Sequence, residues 1–289
     1  MTKKILIATI AFFMIACASG HREPFKETLS PVRDLTSAQK RIAASVSDSA
    51  FLSFKEIGRV EYDGFNAPLW CVSFRVDEPV SYKILINAGI HGNEPAGVAF
   101  VLHLLEQLTQ NPHQHRSVAM DLIPLVNPWG WVHDIRFNRD GIDINRDFST
   151  FDSQESQIIT KFLEDRHYDL MLDLHEDPSS SGFYVYQYGN DDISMAENLI
   201  DTIRNMGYPI EENVSMVILK TENGIIDAPM WGLRYLRITG QLSLANYYRL
   251  NNSQSVYTIE TPTSLPLADR LIMQRTAVDG LITANTPDS

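Results

Sequence analysis

Cysteine is nearly absent: the 289-residue chain has two, Cys17 and Cys71. With Cys17 at the edge of an N-terminal leader, only Cys71 remains in the body of the protein. One thiol makes no internal disulfide, so a fold stapled by disulfides is excluded. Cys71 sits in the alternating run 68–74 and reads as a small buried hydrophobe. Basic blocks are absent too. Lys and Arg number 24 against 36 Asp and Glu, giving a net charge of -12, which excludes nucleic acid as a partner. The apolar run 5–16 falls short of the roughly 20 residues a membrane span needs. No internal repeat or low-complexity tract is present. What remains is ordinary for a globular protein, 44% hydrophobic and 21% charged, and long enough for one large domain or two small ones.

The N-terminus has the build of a signal peptide, with Lys3 and Lys4 ahead of the apolar run. It ends Met14-Ile15-Ala16-Cys17, which resembles a bacterial lipobox with Met14 where Leu is more usual. The resemblance implies lipidation of Cys17, and Ala18 in place of Asp implies the outer membrane. The expected layout is a lipoprotein-type signal over 1–17, a polar tether over 18–35 and a catalytic domain over 36–289. The expected location is the periplasmic side, with a lipid anchor as the sole membrane contact.

Along the chain, 37–46 reads as a short helix and 58–76 as a hairpin turning at Asp63-Gly64. The run 82–90 reads as a buried strand. It ends in Gly89-Ile90-His91-Gly92-Asn93-Glu94-Pro95, and helical spacing follows over 96–108 with Pro95 suited to a first helical position. His113 and His115 lie in a polar loop and read as solvated. A strand over 119–126 runs into the turn Asn127-Pro128-Trp129-Gly130. A loop over 136–148, dense in donors and acids, is long enough to be functional. A helix over 153–163, a strand over 168–174 delivering His175, a strand near 182–186 and a helix over 193–206 follow. Residues 256–259 form a short strand ending at Glu260, and 267–282 a closing helix. Alternating strands and helices predict an α/β domain: a mixed, mostly parallel sheet flanked by helices.

His91 and Glu94, His175 and Glu260 thus stand at the ends of separate strands. Neutral imidazole and carboxylate are zinc donors, and a catalytic zinc takes three protein ligands and keeps one position open. The series His91-x-x-Glu94, Asn127-Pro128-x-Gly130, Arg136-Phe137-Asn138-x-x-Gly141-x-Asp143-x-Asn145-Arg146, a strand ending in His175, and Thr258-x-Glu260 resembles the zinc carboxypeptidase (carboxypeptidase A-like) family. The resemblance covers roughly 83–281. It implies one zinc ion held by His91, Glu94 and His175, with Asp143 orienting the first ligand. Asn145 and Arg146 would grip the terminal carboxylate of a peptide substrate. Arg136 would stabilise the oxyanion, and Glu260 would act as general base and acid. The family's mobile tyrosine has candidates in Tyr235, Tyr247 and Tyr248, with Tyr247 or Tyr248 preferred.

A related class, the succinylglutamate desuccinylases and aspartoacylases, shares these ligands and is the alternative. Only about thirty residues follow Glu260, which suits the peptidase. So does an export signal, since those deacylases act in the cytoplasm. The short Glu94 to His175 interval resembles compact bacterial members, some of which cut murein peptides. Between Trp231 and Ile259 there is no Asp or Glu, while Arg234, Arg237 and Arg249 are present. That suits an anionic or apolar substrate side chain, with Arg234 or Arg237 as its reader. No propeptide is evident, so constitutive activity is expected.

Overall fold

A computed structural model describes residues 21–285 except 26–28, 77–79, 81, 116, 190–191, 213–214, 217–218 and 253–254. The apolar leader and Cys17 lie outside these residues. Among the described residues no helix is long and apolar enough to cross a membrane.

The centre is an eight-stranded sheet in the order β1-β2-β4-β3-β5-β10-β6-β9. Its strands are β1 (Leu52–Tyr62), β2 (Phe65–Phe74), β3 (Tyr82–Ala88), β4 (Val118–Ile123), β5 (Leu170–Asp177), β6 (Tyr184–Tyr188), β9 (Ile225–Ala228) and β10 (Ser255–Pro262); β7 (Ser215–Met216) and β8 (Leu219–Lys220) form a separate ribbon. The four middle strands, β4, β3, β5 and β10, run parallel. They are buried along nearly their whole length, as a sheet covered on both faces requires. The hairpin β1–β2 and strand β6 join antiparallel.

Two cores follow from the alternation of side chains. Ile84 and Ile86, Leu170 and Leu172, and Tyr257 and Ile259 face one side. There they meet α1 (Leu35–Ser47), α2 (Pro95–Gln110), α5 (Ser194–Asn205) and α8 (Leu267–Asn285). Leu85, Met171 and Val256 face the other side. They pack on α4 (Gln154–Leu163), α6 (Met230–Ile238) and α7 (Leu244–Asn252), while α3 (Pro128–His133) gives Trp131 and Val132 to the first core. Each fully buried aliphatic side chain contributes on the order of 2 kcal/mol of apolar transfer.

The expected mixed α/β sheet and most expected elements are present. Three segments differ. Asn127-Pro128-Trp129-Gly130 is more than a turn: Asn127 caps α3, its side chain accepting from Gly130 N at 2.8 Å, with Pro128 in the first turn. α6 and α7 are short helices in a stretch for which the sequence predicted no element. The expected free tether is ordered in part: His21 bridges to Ile142, and Val32 and Arg33 donate to the Val132 carbonyl.

Candidate metal centre and active site

The chain leaves β3 toward β4 on one side and reaches β5 on the other. Ligands collect at the carboxyl ends of strands around such a switch point. β3 ends there and the turn after it carries His91 and Glu94. The turn is shaped by close backbone approach. A Cβ on Gly92 would lie 1.9 Å from the Gly130 carbonyl carbon, so only glycine lets the turn pass α3. Glu94 then opens α2, with Pro95 at its first position.

His91 Nδ1 lies 2.6 Å from Glu94 Oε1, and His175 Nδ1 lies 2.8 Å from Glu94 Oε2. The donor atoms of the three residues fall within 4.8 Å of one another, and all three are buried. The far nitrogen of each ring meets an aspartate: His91 Nε2 is 3.1 Å from Asp143 Oδ1, and His175 Nε2 is 3.2 Å from Asp173 Oδ2. Metal-binding histidines are held in this way, their outer nitrogen donating to a carboxylate. The donor set and its supports therefore fit a divalent ion.

Charge balance follows the same pattern. Burial alone would raise the Glu94 carboxyl, but the His91 and His175 rings outweigh it and hold its pKa well below the usual range. Burial would raise Asp143 too; His91 and Arg136 reverse that and hold it low. Burial would lower the His175 ring, but Asp173 and Glu94 push it well above its ordinary value. The next carboxylate goes the other way. Glu260 is paired with His175 across β10 and β5. Burial pushes its pKa well up; His175 opposes this, and Glu94, Asp177 and Asp173 add to it. Adjacent carboxylates with opposite shifts are a mark of acid–base sites.

Arg136 comes from the loop after α3. Its Nε donates to Asp143 Oδ2 at 3.0 Å, and its Nη1 lies 3.2 Å from His91 Nδ1 and 3.6 Å from Glu94 Oε1. Asp143 also caps the 3₁₀ turn Ile144–Arg146 by accepting from Asn145 N at 3.1 Å. Asn145 Nδ2 lies 3.3 Å from His175 Nε2, and its Oδ1 accepts from Leu244 N at 3.0 Å. In this conformation the Asn145 side chain lies against the His175 ring, held there by its bond to Leu244 N. Arg146 is half-buried and close enough to Asp143 and Tyr186 for its charge to act on both.

Three kinds of comparison bear on this arrangement. A family model for the succinylglutamate desuccinylase/aspartoacylase catalytic domain matches residues 81–217. Carboxypeptidase 2 of Trichophyton rubrum is 28% identical over 198 residues, which are 65% of this chain and 35% of that protein. The chain thus spans about a third of the length of the curated relatives it matches. Among solved structures, a metallopeptidase from Shewanella amazonensis aligns with TM-score 0.73 at 23% identity, over 88% of this chain and 94% of that one. A metallo-carboxypeptidase from Pseudomonas aeruginosa aligns with TM-score 0.62 at 17% identity, over 87% and 68%. In sequence the chain is similar to both the desuccinylase/aspartoacylase and the carboxypeptidase groups, and in fold it is a zinc carboxypeptidase-like α/β domain.

The fold brings His91, Glu94, His175, Asp143, Arg136, Asn145, Arg146 and Glu260 into one neighbourhood. Two expected residues fall elsewhere. Tyr248 is fully buried and bonded to the backbone of Tyr168, accepting from its N at 2.8 Å and donating to its O at 3.2 Å. Tyr168 precedes β5 at the end away from His175, about 20 Å off at roughly 3.3 Å per strand residue. Tyr247 packs on Phe148 and Phe151, with ring centroids 5.9 and 5.8 Å away. Helix α7 turns both tyrosines into or under the second core. Tyr235, on α6, is exposed.

The sequence reading also missed supports of this site. Asp173 stands two residues before His175 on the same face of β5, a signal available from strand alternation. Glu176 is buried: it accepts from Ala96 N at 2.6 Å and from Arg270, holding the start of α2. Gln274 on α8 donates to the His175 carbonyl at 2.9 Å, and nothing local marks it. Tyr184, Tyr186 and Tyr188 form an aromatic row along β6 beside Glu260.

Proposed function

We propose that this chain is a zinc-dependent metallocarboxypeptidase, hydrolysing a C-terminal amide bond of a peptide. The observation that carries the reading is the convergence of His91, Glu94 and His175 on one point, with Glu260 beside His175 on the neighbouring strand. A single zinc ion suits that His, Glu, His set and would supply Lewis acidity there. Glu260, its proton affinity raised by burial, takes a proton from the attacking water and returns it to the leaving amine. Arg136 reaches the same point from the loop side and offers N–H donors to the developing oxyanion. Arg146 presents a guanidinium fork suited to a terminal carboxylate.

The finer reading is a peptide with extra carboxylates, as in murein stems. The stretch 231–259 holds no acidic residue. Arg249 is spent on the carbonyls of Tyr188 and Gly189, at 2.7 and 2.8 Å. Arg234 and Arg237 are exposed on α6 and are the arginines this reading uses. A second reading is favoured by the family model over 81–217: amide hydrolysis of a small N-acyl amino acid. A lipid anchor at Cys17 and a periplasmic site belong to the same proposal.

Product analysis by mass spectrometry decides among these. The zinc-loaded protein is offered C-terminally varied peptides, murein tri- and tetrapeptides, N-succinylglutamate and N-acetylaspartate. Release of single C-terminal residues from peptides supports the main reading. Turnover of the N-acyl amino acids alone moves the assignment to the second. Cleavage confined to murein peptides, with Arg234→Ala and Arg237→Ala lowering the preference for anionic over neutral substrates, supports the finer reading.

A further inference from the structure

The described part of the tether does not hang free. Residues 21–25 run antiparallel along the tip of the loop that carries Arg136, Asp143, Asn145 and Arg146. His21 forms a bridge to Ile142. Arg22 N donates to Gly141 O at 2.7 Å, and Phe25 N donates to Arg139 O at 3.1 Å. The Arg22 guanidinium stacks over the Phe137 ring at 4.8 Å. The Phe25 ring lies 5.1 Å from Trp129, which also receives Arg139 at 5.7 Å. His21 pairs with Asp152 at 3.8 Å.

The loop tip is shaped for this contact. Gly141 has φ +76, and a Cβ there would sit 2.5 Å from the Arg22 carbonyl oxygen. On its inner side the tip is closed by Asn138, whose Oδ1 accepts from Asp140 N and Ile142 N at 3.1 and 2.9 Å. The carbonyls of Arg139 and Gly141 take their backbone partners from the tether. From Gly141 the chain runs two residues to Asp143, which holds both His91 and Arg136.

We propose that residues 21–25 are a strap that positions the 136–146 loop, and through Asp143 and Arg136 the reaction geometry at His91. Its kinetic consequence rests on the hydrolase reading above; its structural consequence does not. The strap touches no reacting atom. It is a positioning segment, and its loss is felt as a mobile loop and a slower catalytic step while the sheet and the metal ligands stay in place.

The test uses the full chain with the double substitution Arg22→Pro and Phe25→Ala, which removes one N–H donor and the ring on Trp129. Phe25→Tyr keeps the ring, and Glu23→Gln serves as a control on the same segment. Hydrogen exchange read by mass spectrometry should rise about tenfold across 137–147 in the double variant, with β3 and β5 unchanged. On the best peptide substrate kcat should fall about tenfold, with KM changing less. Phe25→Tyr and Glu23→Gln should match the parent protein in both readouts. Unchanged exchange in the loop overturns the proposal. So does faster loop exchange with unchanged kcat, and so does a uniform rise over all strands, which marks general destabilisation. If the parent protein hydrolyses none of the substrates, the hydrolase reading fails, and loop exchange alone then decides whether the strap exists.

Discussion

His175 is held through both its ring and its backbone. Its outer nitrogen faces Asp173 at 3.2 Å, and its carbonyl accepts from Gln274 at 2.9 Å. Asp173 in turn accepts from the buried Asn87 side chain on β3. On the zinc reading proposed above, replacing Asp173 by Asn should weaken zinc binding about 10- to 100-fold, the usual cost of losing such a support. Competition with a chromophoric chelator reads this directly, and wild-type affinity in the variant would remove Asp173 from the account. Tyr248 makes the opposite case. Its hydroxyl serves the Tyr168 backbone, so Tyr248→Phe should cost about 1–2 kcal/mol in stability and leave kcat within about twofold. A large loss of kcat at unchanged stability would return Tyr248 to the substrate. The convergence of His91, Glu94, His175 and Glu260 was legible because each ends a recognisable strand or turn. Tyr247 and Tyr248 misled because spacing before Glu260 says nothing about which face of a helix they take.

Among elements, the loop from Arg136 to Asp147 is braced from beneath as well as from the strap. Asn138 donates to Glu155 at 3.0 Å, and Tyr62 donates to the same carboxylate at 2.6 Å. Glu155 is fully buried at the start of α4. Burial pushes its pKa from 4.5 up to about 6, with the Tyr62 and Asn138 hydrogen bonds opposing. The folded state therefore favours the protonated acid. Its contribution is fully present below pH 4.5 and is lost as pH rises through about 6, a change of about 2 kcal/mol at 1.36 kcal/mol per pKa unit. Urea midpoints from pH 4 to 7 should carry this fall in the parent protein, and Glu155→Gln should remove it; parallel curves would contradict the assignment. The loop's chemistry was legible from its composition. Its buttress was not, because Tyr62 and Glu155 are 93 residues apart in sequence.

Over the whole molecule, the sheet order puts β3, β5 and β10 side by side, so three distant segments deliver His91 and Glu94, His175 and Glu260 to one edge. The parallel strands were readable because burial on both faces leaves unbroken apolar runs such as Ile84–Ile86 and Leu170–Leu172. The covering layer over β6, β9 and β10 was less so: α6 and α7 are nine residues each, too short for periodicity to stand out, and α6 leaves Trp231, Tyr235 and Ile238 exposed. The central claim is that one zinc at His91, Glu94 and His175 works with Glu260 on an amide bond. Its most direct test is paired metal content and peptide hydrolysis in Glu260→Gln and Glu94→Ala. The account predicts one zinc per chain in Glu260→Gln with kcat lower by at least about 10³-fold, and loss of both zinc and hydrolysis in Glu94→Ala. Retained hydrolysis in Glu260→Gln, or full zinc content in Glu94→Ala, would contradict it.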